Sequence, residues 1–478
     1  MSRSRRIAIG LDVGTSSVKA TAVTDEGDIV GVTSTPYPTA IPFDGAAEQN
    51  PDHWWAAVGE VLDGIAAKLP DLEADRTVIG LTGQMHTSVL LGEYDEVLRP
   101  AILWSDKRSA RECAELVQAV PDYAAITGNP PMTAFTVAHL MWVRRHEPEV
   151  AGRVRAVLNP KDEIRRRLGA GSFTEPSDAS ATGLFDTRTG EWSGTVGSPA
   201  GVDVKVLPAI AASHDATGVV RSLPGGIAAE NSALGRLRGA RVFGGAGDQA
   251  AQAIALGVTS PGTLGLSLGT SGVAFGSVSE PQNGAFRHAY PDTWLALDSM
   301  HAAGLSVAWL ARLLGVPVPE LSADVAPEEC PLFLPYLQGH RGGSGAPGSF
   351  VGLDAHHLAP HLAYAVMEGV AFELARLGEG IGALDPAMPV RLGGGGGRNP
   401  LWRKIIASAF GRNVFYNDRD SSFGAAVVAA EGDGWWTGSA SDDTASGVVT
   451  DPDPSMVVAM VDRRQRFESI SRALANVK

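Results

Sequence analysis

An internal repeat constrains this chain more than any other feature. Gly10-Leu11-Asp12-Val13-Gly14-Thr15-Ser16-Ser17-Val18 returns 255 residues later as Gly265-Leu266-Ser267-Leu268-Gly269-Thr270-Ser271-Gly272-Val273, with six of nine positions identical. In each copy an apolar run ends in a Gly-Thr-Ser turn and a second extended run follows, the pattern of strand, turn and strand. A chain that opens each half with the same unit is built as two lobes on one plan. Its 478 residues also exceed what one hydrophobic core normally holds. The repeat predicts a boundary near residue 240, with an N-terminal lobe over 1–240 and a C-terminal lobe over 241–478.

The segments around the first copy agree with this plan. Ile7 to Val13 and Val18 to Val23 read as strands, Thr24 to Gly27 as a turn, and Asp28 to Thr33 as a returning strand. Pro51 to Leu69 has the period of an amphipathic helix, and Val78 to Leu81 is a buried strand ending at Gly83. Apolar strands mixed with helical stretches predict an α/β fold. The net charge of −14 argues against a general nucleic-acid or anionic-membrane surface. Two cysteines, Cys113 and Cys330, with no CxxC, argue against a disulfide framework or structural zinc and fit a reducing cytoplasm. Arg3, Arg5 and Arg6 resemble the start of an export signal, but Asp12 and the turn at Gly14 break the apolar run. A tail leading into a first strand is the expectation. No run reaches the ~18 apolar residues that a membrane-spanning helix needs.

Several motifs can carry chemistry. A Gly-Thr-Ser turn offers inward N–H groups and small hydroxyls, which suit phosphate oxygens. The candidates are Gly14, Thr15 and Ser16 in the first copy and Gly269, Thr270 and Ser271 in the second. A structural hairpin is the alternative for either turn taken singly. The copies differ at Asp12 and Ser267. One carboxylate at a strand end can hold Mg²⁺, whereas two opposed carboxylates would repel phosphates. Gly244-Gly245-Ala246-Gly247-Asp248-Gln249 opens a helical stretch. Asp248 there is either a general base for a substrate hydroxyl or a helix cap, and the two roles are compatible. Gly393 to Gly397, then Arg398-Asn399, stand between a strand and a helix. Gly394, Gly395, Gly396 and Asn399 are candidates for a nucleotide platform, a flexible linker being the alternative. Gly83-Gln84-Met85-His86 ends a strand with groups that can bond or pack on a sugar, a satisfied structural histidine being the alternative for His86. Trp104 and Asp106 follow the apolar Ala101-Ile102-Leu103, and Asp106 either binds hydroxyls or pairs with Arg108. Trp54-Trp55 read as core packing, with one ring able to wall a sugar pocket, and Trp435-Trp436 read as core or interface.

Together these residues resemble the FGGY carbohydrate kinases, most closely the xylulose-kinase group, from Ile9 to about Ala430. The matching stretches are Asp12 to Ser16 with Lys19, Gly83 to His86, Leu98 to Trp104 with Asp106 and Arg108, and Thr127 to Asn129. They continue with Trp142, Arg145 to Glu149, Pro160-Lys161-Asp162, Ser177-Asp178-Ala179, Leu266 to Gly272, Phe333 to Leu337, Glu368 to Ala371 and the 393–397 glycines. The resemblance implies an actin-like, ribonuclease-H-like ATPase fold in each lobe, with a central catalytic cleft that closes on ATP and sugar. It implies ketose contacts from Met85, His86 and Asp248, with Gln249 beside them and Asp248 as base. It also implies ATP binding by the two turns, Lys19 and the glycine loop, and a homodimer. The expected reaction is phosphorylation of D-xylulose to D-xylulose 5-phosphate with ATP and Mg²⁺.

Four positions depart from the family pattern: Gln249 where Asn is usual, Gly339 to Gly343 with a short loop over 340–348, His139 in place of Lys, and Pro130-Pro131-Met132. Gln249 also fits kinases of polyols, so ribulose, a pentitol and glycerol are competing substrates. An actin- or chaperone-like ATPase switch, or a weak sugar sensor, is the reading from a different class.

Overall fold

The computed structural model describes residues 5–225, 233–317, 325–339, 347–382, 384–436 and 447–475. The first residues of the basic tail and most of the 340–348 loop lie outside the described residues. The chain forms two compact units. The first comprises Met1–Ala255, Ser279–Leu295 and Asp420–Ser439; the second comprises Leu256–Val278, Ala296–Arg419 and Ala440–Lys478.

In the first unit, strands β1 (Ile7–Val13), β2 (Ser17–Thr24) and β3 (Ile29–Pro36) form the expected antiparallel meander. β4 (Thr77–Gly83), β5 (Ala216–Val219), β6 (Arg241–Phe243) and the short β7 (Ala246–Gly247) complete the sheet. The order is β5-β6-β4-β1-β2-β3, and β7 also pairs with β4. β1 lies parallel to β4, β4 parallel to β6, and β5 antiparallel to β6. A strand covered on both faces has no polar side to show, which is why β1 and β4 read as almost unbroken apolar runs. In β1 only Asp12 escapes full burial.

In the second unit, β8 (Leu264–Leu268) and β9 (Gly272–Val278) form the repeated hairpin. β10 (Val390–Gly393) lies parallel to β8, β11 (Val414–Tyr416) parallel to β10, and β12 (Val448–Thr450) antiparallel to β11. This is the first sheet's pattern again: hairpin, two parallel partners, one antiparallel strand. The nine-residue repeat therefore marks duplication of this five-strand pattern.

Helices cover the first sheet. α1 (Pro51–Lys68) starts at Asn50, whose side chain accepts the Asp52 amide, and buries Trp54, Val58, Val61, Leu62 and Ile65 at helical spacing. Trp54 is core, as expected, and its Nε1 donates to Gln49 Oε1 at 2.9 Å. α2 (Pro160–Arg167), α3 (Pro176–Ser180) and α4 (Asp248–Ala255) follow. α5 (Pro400–Phe410) belongs to the second unit. α6 (Ser421–Gly432) belongs to the first, where it lies against β1, β4 and α4.

The α6 approach is very close. A Cβ on Gly10 would come 1.8 Å from the Ser422 carbonyl oxygen, and one on Gly80 would come 1.8 Å from that of Ala425. Backbone cannot yield as a side-chain tip can, so both sites exclude every other residue. Gly80→Ala is expected to cost about 3 kcal/mol or more, visible as a lowered midpoint for the first transition in thermal unfolding. Gly152→Ala, where a Cβ meets nothing within 4 Å, should leave that midpoint unchanged or raise it slightly.

Candidate active site

Register decides which groups meet. Asp12 faces Thr82 and Val13 faces Gly83 across β1 and β4. Gly247 faces Gly83 across β7 and β4. All these pairings are parallel, so three segments leave the sheet at its carboxyl end side by side: the Gly14–Ser16 turn, Gln84-Met85-His86, and Asp248. That end is where open α/β sheets bind ligands.

Asp12 is oriented by α6. Ser421 Oγ donates to Asp12 Oδ2 at 2.5 Å, while Asp12 Oδ1 is buried and has no protein partner. Burial pushes the Asp12 carboxyl up to about 6; the Ser421 bond opposes this, the Asp420 charge adds to it, and Lys19 opposes it. Lys19 itself pairs with Asp420, which also caps α6 by accepting the Ser422 and Phe423 amides. The turn after Asp12 closes through the Gly14 amide on Ser17 O at 3.1 Å. Its carbonyls are anchored: Gly14 O accepts the Tyr37 hydroxyl, and Thr15 O accepts Gln49 Nε2 at 2.6 Å. Among the described residues the Thr15 and Ser16 amides donate to no protein acceptor. They supply the N–H groups that an anion needs.

Met85 and His86 sit on the neighbouring strand end. Met85 is buried, with its thioether against Gly247, where an added Cβ would come 2.9 Å from Met85 Cγ. His86 has φ +69°, a left-handed conformation that is costly away from glycine. Its Nδ1 donates to Ala181 O at 2.5 Å, and its ring stacks on Phe135 with centroids 5.1 Å apart. Because a carbonyl oxygen only accepts, that bond places a proton on Nδ1. Trp104 is half-exposed and donates Nε1–H to Thr15 Oγ1 at 3.0 Å, which joins it to the first turn. Asp106 is fully buried. Its oxygens accept from Arg108 Nε and Nη2 at 2.8–2.9 Å and from the Ala47 amide at 2.7 Å. Burial favours the neutral form of Asp106, but the Arg108 and backbone bonds together hold its carboxyl below the usual range. Of the two roles open to Asp106, the ion pair is the one its oxygens fill.

Asp248 begins α4 and is half-buried. Burial and then the Asp12 charge push its carboxyl up to about 7, against bonds from Gln249. The Gln249 side chain reaches Asp248 Oδ1 at 3.5 Å. A carboxyl poised there changes charge near neutrality, which suits proton transfer.

The second unit carries the other candidates. The Gly269–Ser271 turn is exposed and rests on a helix start: Gly304 N donates to Gly269 O at 2.9 Å and Leu305 N to Thr270 O at 3.0 Å. Gly394 has φ +88°, and a Cβ there would lie 2.7 Å from Leu268 O, so backbone geometry requires glycine. A Cβ on Gly395 meets nothing. Gly395–Arg398 is a short 3-10 helix rather than a slack linker. Asn399 caps α5, its Oδ1 accepting the Leu401 and Trp402 amides at 2.9 and 3.1 Å.

Sequence reasoning gave no role to three groups that hold the first unit's site. Gln49 links both turns: besides Thr15, its Oε1 accepts Gln84 Nε2 at 3.0 Å. Asp420 and Ser421 hold Lys19 and Asp12 from about 400 residues away in sequence. Lys161, Asp162, Arg165, Glu175 and Asp178 form a fully buried ionic cluster beneath the Asp248 turn. A charged run such as residues 161–167 normally marks a solvated face, so only the placement of helices on the sheet reveals that cluster. A surface cavity of about 580 Å³, lined by residues including Leu140, Arg144 and Val206, contains none of these groups.

The FGGY family of carbohydrate kinases matches by its N-terminal domain at residues 7–255 and by its C-terminal domain at residues 264–431. Xylulose kinase of Escherichia coli (strain K12) is 35% identical over 444 residues, covering 88% of this chain and 89% of that relative. The crystal structure of xylulose kinase from Rhodospirillum rubrum aligns with TM-score 0.86 at 30% identity, over 98% of this chain and 99% of that one. Gluconate kinase from Lactobacillus acidophilus aligns with TM-score 0.88 at 23% identity, over 99% of each chain. That last likeness speaks for the fold alone, which evidently does not fix the substrate. The two α/β units share the architecture of sugar kinases with the actin-like ATPase fold. The chain belongs to the FGGY family of carbohydrate kinases.

Proposed function

We propose that this chain transfers the terminal phosphoryl group of ATP to D-xylulose, giving D-xylulose 5-phosphate and ADP. The observation that carries this reading is the meeting of the Asp12 turn, Met85-His86 and Asp248 at the carboxyl end of β1, β4 and β7. Choice of ketose is supported by xylulose kinases at 30–35% identity over most of the chain. Met85, His86, Trp104, Asp248 and Gln249 bind the sugar. Asp106, with its oxygens taken by Arg108 and Ala47, shapes this wall from behind. Gly14, Thr15, Ser16 and Lys19 serve the phosphates. In the second unit Gly269, Thr270, Ser271, Gly394, Gly395, Gly396 and Asn399 serve the nucleotide.

Asp248 takes the proton of the sugar's terminal hydroxyl as its oxygen attacks the γ-phosphorus. Gln249 restrains the carboxylate, and the Thr15 and Ser16 amides receive charge spread over phosphate oxygens. Asp12 fits a magnesium ion. Oδ1 is buried without a partner, and Oδ2 is held by Ser421. One carboxylate suits an ion that keeps waters and phosphate oxygens as its other ligands. Magnesium, when bound, supplies counter-charge to the phosphates.

Three outcomes are expected. In a coupled ADP-release assay over D-xylulose, D-ribulose, a pentitol and glycerol, D-xylulose gives the highest kcat/KM. A better substrate within the panel overturns the sugar, and sugar-independent ADP release overturns the kinase reading in favour of an ATPase switch. Asp248→Asn lowers kcat by about 10²–10⁴-fold and leaves the affinity for ATP, measured calorimetrically, within a few-fold. Without ligands, the same variant has a pH-dependent effect on stability. The folded carboxyl keeps its proton up to about 7, while the unfolded one ionises near 4. The folded state thus binds more protons in that window, so stability falls as pH rises through it. Asp248→Asn should raise the melting temperature more at pH 8 than at pH 5.

A further inference from the structure

The buried ionic cluster stands in direct contact with the turn that delivers Asp248. Gly247, the residue before Asp248, donates its amide to Ser177 Oγ at 2.9 Å. Gly247 and Ser177 are both fully buried, so that amide has no water to fall back on. The Ser177 hydroxyl in turn donates to the Glu175 carboxylate at 2.8–2.9 Å. Since the serine hydrogen is committed to Glu175, the Ser177 lone pairs point to Gly247.

Glu175 cannot move. It also accepts the Ser177 amide at 2.8 Å, the Asp178 amide at 3.0 Å and the Ser213 hydroxyl at 2.9 Å. Lys161 Nζ lies 3.5 Å from it, 2.6 Å from Asp162 and 3.2 Å from Asp178. Arg165 extends the same cluster from Asp162 to Gly244 O, the first residue of the glycine turn. The turn is therefore gripped at both ends, at Gly244 by Arg165 and at Gly247 by Ser177. The next residue after α3 holds the sugar side as well, because Ala181 O accepts His86 Nδ1. One five-residue helix thus sets the spacing between the sugar-facing imidazole and the base.

We propose that Ser177 is a positioning residue for phosphoryl transfer: its hydroxyl, fixed by Glu175, holds the Gly247 peptide in the one orientation that aims Asp248 at the acceptor hydroxyl. Charge assistance from Glu175 makes this bond stiffer than a neutral serine contact. Catalysis depends steeply on such alignment, so a displacement of the base well under 1 Å is felt in turnover before it is felt in binding. The inference rests on Asp248 being the base.

The test is a double-mutant cycle with Ser177→Ala and Asp248→Asn, read by single-turnover and steady-state kinetics with D-xylulose and ATP. Ser177→Ala alone is expected to lower kcat at least tenfold, with KM for sugar and ATP within twofold of the parent. In the Asp248→Asn background it is expected to cause no further loss, because the group it positions is gone. An undiminished loss in that background, a loss seen in KM rather than kcat, or a kcat within twofold of the parent each overturns the inference. Near-normal turnover in Asp248→Asn alone overturns instead the assignment of the base. Should Ser177→Ala not fold, Glu175→Gln keeps an amide-accepting oxygen and removes the charge; it is expected to lower kcat in the same background-dependent way, and an effect equal in both backgrounds overturns the proposal.

Discussion

The first unit depends on how closely α6 can lie on its sheet. Gly10 and Gly80 remove the two side chains that would hold the helix off, and Gly424 lets it close on α4, where a Cβ would meet the Ala251 carbonyl oxygen at 1.9 Å. Such contact is backbone on backbone, and it trades side-chain burial for precision of placement. Precision has a visible result at the helix start. Asp420 caps the helix and pairs with Lys19, and Ser421 fixes one oxygen of Asp12 while leaving the other bare. Gly10 and Asp12 stand two apart in the repeated motif. The first makes room for the helix whose end disciplines the second.

The ionic cluster around Lys161 follows another logic. Its five side chains carry two positive and up to three negative charges in a place with no exposure. Burial pushes the Asp178 carboxyl up, and the neighbouring Lys161 charge opposes that. Taking ions out of water costs more than their attraction returns in many proteins, and apolar replacements are often as stable. Directional bonds are what apolar groups cannot provide. Here they reach Gly244 and Gly247, the ends of the turn that bears Asp248.

Much of this was legible in the residues. The meander, the helix over residues 51–68 and the buried strand ending at Gly83 follow from periodicity and turn chemistry, because local pattern determines them. The repeat announced a duplication that the matching strand pairings of both sheets bear out. What remained hidden depends on distant partners. Nothing near residue 420 tells that Asp420 and Ser421 serve Lys19 and Asp12. Nothing local tells whether Asp106 faces a ligand or Arg108; burial and geometry place it on Arg108. The glycines at 393–397 looked alike as letters. In space Gly394 is imposed by its backbone angle, whereas Gly395 faces open room.

The return of Asp420–Ser439 to the first unit has a consequence for how the chain folds as it is made. The apolar face of β1 and β4 that α6 covers is synthesised well over three hundred residues before the helix that seals it. Until then the nascent sheet presents unburied apolar surface, and the closing contacts carry the loop entropy of long sequence separation. The first unit therefore cannot bury that face before residues 421–432 have been made. Apolar surface that waits on a partner distant in sequence is what favours aggregation over folding.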